Sequence, residues 1–82
     1  MPRLRSLSGA DITKILESFG FEVISIKGSH YKLRRIVDEQ KQTLNVPVHG
    51  KKPIAIGTLR SIYKPASAYI PEADLKPHFY ID

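Results

Sequence analysis

Residues 21–48 read FEVISIKGSHYKLRRIVDEQKQTLNVPV, three short runs of β-branched, aromatic and alternating residues separated by Gly28-Ser29 and by Asp38-Glu39-Gln40-Lys41. Phe21 to Lys27 is too short for a helix and rich in strand formers, so it predicts a strand that ends at Gly28. His30 to Val37 predicts a second strand, with Tyr31, Leu33 and Arg35 on one face and His30, Lys32 and Arg34 on the other. After a polar turn over residues 38–41, Gln42 to Val48 alternates again, placing Leu44, Val46 and Val48 opposite Thr43, Asn45 and Pro47. The turns are too short for crossovers, so the three strands are antiparallel. With the apolar set packed on helices, His30, Lys32, Arg34, Thr43 and Asn45 share the open face of the sheet.

Upstream, Ser8-Gly9-Ala10-Asp11 is a helix-start signal: the Ser8 hydroxyl can accept from first-turn amides, and Asp11 suits the positive end of the helix. Ile12, Ile15, Leu16 and Phe19 then form one apolar stripe, Thr13, Lys14, Glu17 and Ser18 face water, and Gly20 closes the helix in the left-handed conformation. Downstream, His49-Gly50-Lys51-Lys52-Pro53 is a loop, and Thr58 is expected to cap a second helix that buries Leu59, Ile62 and Tyr63. Pro65 predicts a kink or stop near Lys64, with Ala66 to Tyr69 resuming as a separate piece. Pro71 to Leu75 suits one helical turn, and Lys76 to Asp82 reads as a tail whose Phe79, Tyr80 and Ile81 dock on the core or on a partner. The whole is one domain, residues 1–82, with its core at about 7–64 and a C-terminal extension over 65–82.

Composition narrows the chemistry. With 82 residues, 41% of them hydrophobic and 26% charged, the chain is an ordinary small folded protein. No apolar run spans a bilayer and no signal-peptide core follows Met1 to Arg5, which leads to a cytoplasmic expectation with no membrane partner. There is no cysteine, and the three histidines lack an adjacent carboxylate pattern, so no metal or other cofactor is expected. The formal charge is +5, and it is concentrated: residues 27–64 hold Lys27, Lys32, Arg34, Arg35, Lys41, Lys51, Lys52, Arg60 and Lys64 against only Asp38 and Glu39. A basic middle of this kind fits a phosphodiester backbone, the alternative being a solvated face that aids solubility.

Helix, three-stranded antiparallel sheet, helix is an α+β order similar to the double-stranded-RNA-binding domain, which recognises backbone and 2′-hydroxyls more than sequence. Four motifs make the resemblance specific. The capped helix ending in Gly20-Phe21, the tripeptide Gly28-Ser29-His30, the segment Val46-Pro47-Val48-His49 and the run Gly57-Thr58-Leu59-Arg60-Ser61-Ile62 resemble, in order and in spacing from about Leu7 to Ile62, the HicA (YcfA-like) family. That resemblance implies a ribosome-independent mRNA interferase with a double-stranded-RNA-binding-like fold, a HicB antitoxin as partner, and His30 as catalytic histidine.

The residues support such chemistry on their own terms. Metal-free RNA cleavage needs a base for the 2′-hydroxyl, stabilisation of the phosphoryl oxygens and an acid for the leaving 5′-oxygen. An imidazole titrates near ~6.5, so a histidine serves as either acid or base at neutral pH. Gly28, Ser29, Lys32, Arg34, Lys51 and Lys52 are the candidate RNA-binding residues. Gly28 also suits a tight turn, and Ser29 suits either a phosphate contact or a turn cap. His49 is an auxiliary candidate, either a second acid or base near His30 or a loop histidine that binds RNA or nothing, while His78 sits in the tail with no assigned role. Two other function classes remain: a non-catalytic RNA-binding or protein-interaction module, and DNA binding through the Thr58 to Lys64 helix, which offers a groove only Arg60 and Lys64.

Overall fold

The computed structural model describes residues 3–81; Met1 and Pro2 of the basic start and Asp82 of the expected tail lie outside the described residues. In chain order the elements are β1 (Arg3–Leu4), α1 (Gly9–Ser18), β2 (Glu22–Lys27), β3 (His30–Val37), β4 (Gln40–Pro47), α2 (Ile56–Tyr69), α3 (Glu72–Phe79) and β5 (Tyr80–Ile81). β2, β3 and β4 form an antiparallel sheet in that order, and β1 pairs antiparallel with β5 in a separate ribbon. The arrangement is α+β and compatible with the double-stranded-RNA-binding-like architecture expected from the sequence. Among the described residues no helix is long and apolar enough to cross a membrane.

Two tight hairpins set the register. Lys27 pairs with His30 around Gly28-Ser29, and Gly28 takes a φ of 58°, the left-handed value that a two-residue hairpin loop needs at its first central position. Val37 pairs with Gln40 around Asp38 and Glu39, whose φ values are 51° and 65°. The second turn is therefore two residues long rather than the expected four. Both central residues enter the left-handed region, so the strands join at once and β4 begins at Gln40 instead of Gln42. It ends at Pro47, and Val48 leaves the ladder with its amide donating to the Ser29 carbonyl (2.6 Å).

The helices cover one face of this sheet. Leu33, Leu44 and Val46 are buried against Ile12 and Leu16 of α1 and Leu59, Ile62 and Ala66 of α2. Ser8 caps α1 through a reciprocal pair: its hydroxyl accepts from the Asp11 amide (3.1 Å) and its own amide donates to Asp11 Oδ2 (3.0 Å). That backbone bond, followed by the hydroxyl contact, holds the Asp11 carboxyl below its ordinary range, so the stabilisation is present at neutral pH and is lost as acid protonates the folded-state carboxylate. Gly20 closes the helix with a φ of 93°. Thr13 does not face water as expected; it is buried, and its hydroxyl donates to the Gly9 carbonyl (2.8 Å), which satisfies the polar group inside the fold.

Three expectations for the C-terminal half give way. α2 starts at Ile56 with Ala55 at its N-cap, so Thr58 lies inside the first turn. The helix starts early because the preceding chain is pinned, Pro53 bridging to Ser8 and the Ile54 amide donating to the Leu7 carbonyl (2.7 Å). α2 also runs through Pro65 without separating into two pieces. The Ser61 carbonyl loses its amide partner there, yet both residues are exposed, where solvent can satisfy it. The expected tail is ordered structure: α3 continues to Phe79, whose ring is buried with Leu75, and Tyr63 meets Phe79 and Tyr80 edge-on with centroids 5.2 and 5.3 Å away.

A histidine cleft at one end of the sheet

β3 begins with His30, exposed and directly opposite Lys27 on β2 and Pro47 on β4. Where β4 ends the chain turns outward through His49-Gly50-Lys51-Lys52, closed by the Lys52 amide donating to the His49 carbonyl (3.2 Å), with Gly50 at a φ of 61°. The return through Pro53 to Ala55 leads into α2. These segments enclose a cleft of about 580 Å³ lined by His30, Pro47, His49, Lys52, Pro53, Ile54, Ala55 and Thr58. Ala55 and Thr58 are the N-cap and the third residue of α2, and no side chain caps that end, so the positive end of a 14-residue helix borders the cleft.

The walls are held rigidly. Gly9 opens α1 against the exit of β4: a Cβ there would overlap the Pro47 carbonyl oxygen and stand 2.7 Å from the Val48 Cα, so only glycine admits this approach. The Val48 bond to Ser29 ties the β4 exit to the β2–β3 turn, and the Ser8–Pro53 bridge ties the far wall to the start of α1.

Of the residues singled out from sequence, His30, His49 and Lys52 come together in the cleft. Gly28 and Ser29 form the turn just before His30, and Lys51 is exposed in the loop beside Lys52. Lys32 is exposed two residues along β3, between Ser25 and Asn45. Arg34 lies apart. It is four residues from His30, roughly 13 Å along an extended strand. It faces Glu22 across the ladder and lines a separate hollow of about 390 Å³ with Gly20, Glu22, Ile24, Arg35 and Ile36. Its Nε is buried without a hydrogen-bond partner. His78 is on α3, edge-on to the Phe19 ring at 5.4 Å, and does not line the cleft. Among the described residues no three histidine or carboxylate side chains come together to hold a metal ion.

Two contributors escaped the sequence reasoning. Lys27 was counted only as part of the basic stretch, yet a two-residue loop at Gly28-Ser29 necessarily sets it beside His30. The uncapped start of α2 was hidden by assigning Thr58 as a cap; Pro53, which fixes the chain direction before the helix, was the available signal.

Searches of curated proteins and of solved structures return no match. A family model described as the HicA toxin of bacterial toxin-antitoxin systems matches residues 9–67, from the first residue of α1 almost to the end of α2. The matched segment contains the whole three-stranded sheet and every residue that lines the histidine cleft, and on this ground the chain belongs to the HicA toxin family.

Proposed function

We propose that this protein is a metal-independent endoribonuclease, an mRNA interferase toxin of a type II toxin–antitoxin system, acting in the cytoplasm with His30 at the reacting phosphodiester. The observation that carries the proposal is the cleft itself: an exposed imidazole flanked by Lys27 and Lys52 and bordered by the positive end of α2. A phosphate seated there meets cationic charge on several sides, and His30 is within the same walls to move a proton to or from the sugar or leaving oxygen. Gly28 and Ser29 shape the turn that presents His30, while Lys32, Lys51 and Arg34 extend the cationic track along the sheet and loop for the flanking RNA backbone.

Family membership implies a HicB-like antitoxin partner. Acidic groups of such a partner, set against Lys27, Lys32 and Lys52, would close the cleft and exclude RNA by overlap. The test is incubation of the purified chain with RNA in the presence of EDTA. The proposal expects cleavage that the chelator leaves unchanged and that added antitoxin stops. RNA bound but intact would identify the same face as a non-catalytic binding module.

A further inference from the structure

We infer that His49 is a second proton-transfer group of the cleft, so that His30 and His49 divide the two proton movements of phosphodiester cleavage; this rests on the endoribonuclease reading above. The geometry supplies three supports. First, the residue before each histidine is bonded to the residue before the other, the Val48 amide donating to the Ser29 carbonyl (2.6 Å), so two segments far apart in sequence deliver their imidazoles to one place. Second, both histidines are exposed and line the same cleft of about 580 Å³, a size that admits a nucleotide-scale ligand. Third, Lys52, Ala55 and Thr58 line it too, bringing an ammonium group and the positive end of α2 to a phosphate held between the imidazoles.

The chemistry moves two protons, which two such groups can divide between them. One neutral imidazole takes the proton of the 2′-hydroxyl as that oxygen forms its bond to phosphorus. The bond from phosphorus to the 5′-oxygen breaks, and the departing oxygen takes a proton from the other histidine in its imidazolium form. The products are a 2′,3′-cyclic phosphate and a 5′-hydroxyl, and each histidine ends in the protonation state in which its partner began. No water or further reactant is consumed.

The experiment compares the full-length parent, His30→Ala and His49→Ala on an RNA oligonucleotide and on its analogue with sulfur in place of the scissile 5′-oxygen, a leaving group that departs without a proton. Both histidines are exposed, so thermal melts are expected to match the parent. His49→Ala should lower kcat by about 10² to 10⁴ with little change in KM. It should also lose one limb of a pH profile that rises and falls in the parent. The sulfur analogue should restore cleavage to only one of the two variants, the one lacking the acid. A His49→Ala protein with parental kcat, or with a raised KM alone, would overturn the inference and leave His30 in place. Rescue of neither variant would overturn the division of labour as well. If both variants cleave like the parent, neither histidine carries the reaction and the inference falls; only a parent that leaves RNA intact would overturn the endoribonuclease reading itself.

Discussion

His30 and Arg35 stand five residues apart on the same strand, and the two ends of β3 use positive charge in opposite ways. At the His30 end the cations are unspent: Lys52 is exposed in the cleft lining, Lys27 is exposed opposite His30 on β2, and Lys32 is exposed two residues along β3. At the other end the Arg35 guanidinium is consumed by the fold. Its Nε donates to Gln42 Oε1 (2.6 Å), its two terminal nitrogens donate to the Phe19 carbonyl (2.8 Å) and the Tyr69 carbonyl (2.6 Å), and it lies 4.9 Å from the centre of the Phe21 ring. One side chain thereby ties the C-terminal ends of α1 and α2 to the sheet. The period of two along a strand decides which role a cation plays, and a count of basic residues cannot.

The sharpest way to break this comparison is Arg35→Ala, which leaves two helix-end carbonyls without their donor and removes the contact with Phe21. A loss of about 3 kcal/mol is expected, or a melting point lower by roughly 12–24 °C for a domain of this size. Arg35→Lys should recover little of it, because a single ammonium cannot reach three acceptors in the planar fork. A thermal melt within a few degrees of the parent would show that Arg35 is not a structural tie.

Gly9→Ala should come next, at about 2 kcal/mol of destabilisation, since the new Cβ pushes against the backbone of Pro47 and Val48. The strain falls on the wall that carries His49, so RNA cleavage should drop further than the stability loss alone explains. Equal melts for variant and parent would show that the β4 exit yields freely.

Smaller still is the effect of a single surface cation. Four phosphate contacts from Lys32, Arg34, Lys51 and Lys52 predict a log-log slope of affinity against salt of roughly −3 for single-stranded RNA, and Lys32→Gln should flatten it by about 0.7. A slope unchanged by that substitution would remove Lys32 from the RNA track. The smallest expected change is a gain: Glu39→Gly relieves a left-handed φ of 65° in the hairpin turn and should stabilise by about 0.5 kcal/mol after the entropic cost of glycine. A denaturant midpoint that does not rise would contradict the turn geometry.

Much of the sheet was legible because alternation is a local property. The start and end of the His30–Val37 strand, and the burial of Leu33, Leu44 and Val46, follow from residue order alone. The Ser8 cap was equally plain, since its partner Asp11 is three residues away. What escaped depends on long-range partners. Asp38 and Glu39 gave no glycine signal for a two-residue turn. Pro65 carried a local penalty that exposure makes tolerable; Phe79 was expected to dock on the core or on a partner, and it is buried, whereas Leu75 carried no marker of the core that α2 offers it. At the cleft, residue order alone placed His30 at the start of a strand, while the meeting of His49 with it depended on the Val48–Ser29 bond between segments nineteen residues apart. Arg34 shares its face with His30 yet sits too far along the strand to join the cleft.

The central claim is that unspent charge at the His30 end does chemistry while spent charge at the Arg35 end holds the fold, and one side-by-side measurement tests it: RNA cleavage and thermal melting of His30→Ala. The account predicts a melt within about ±0.5 kcal/mol of the parent, because an exposed side chain leaves no cavity, together with a fall in cleavage rate of about 10² to 10⁴. A folded His30→Ala protein that cuts RNA at the parental rate would contradict it.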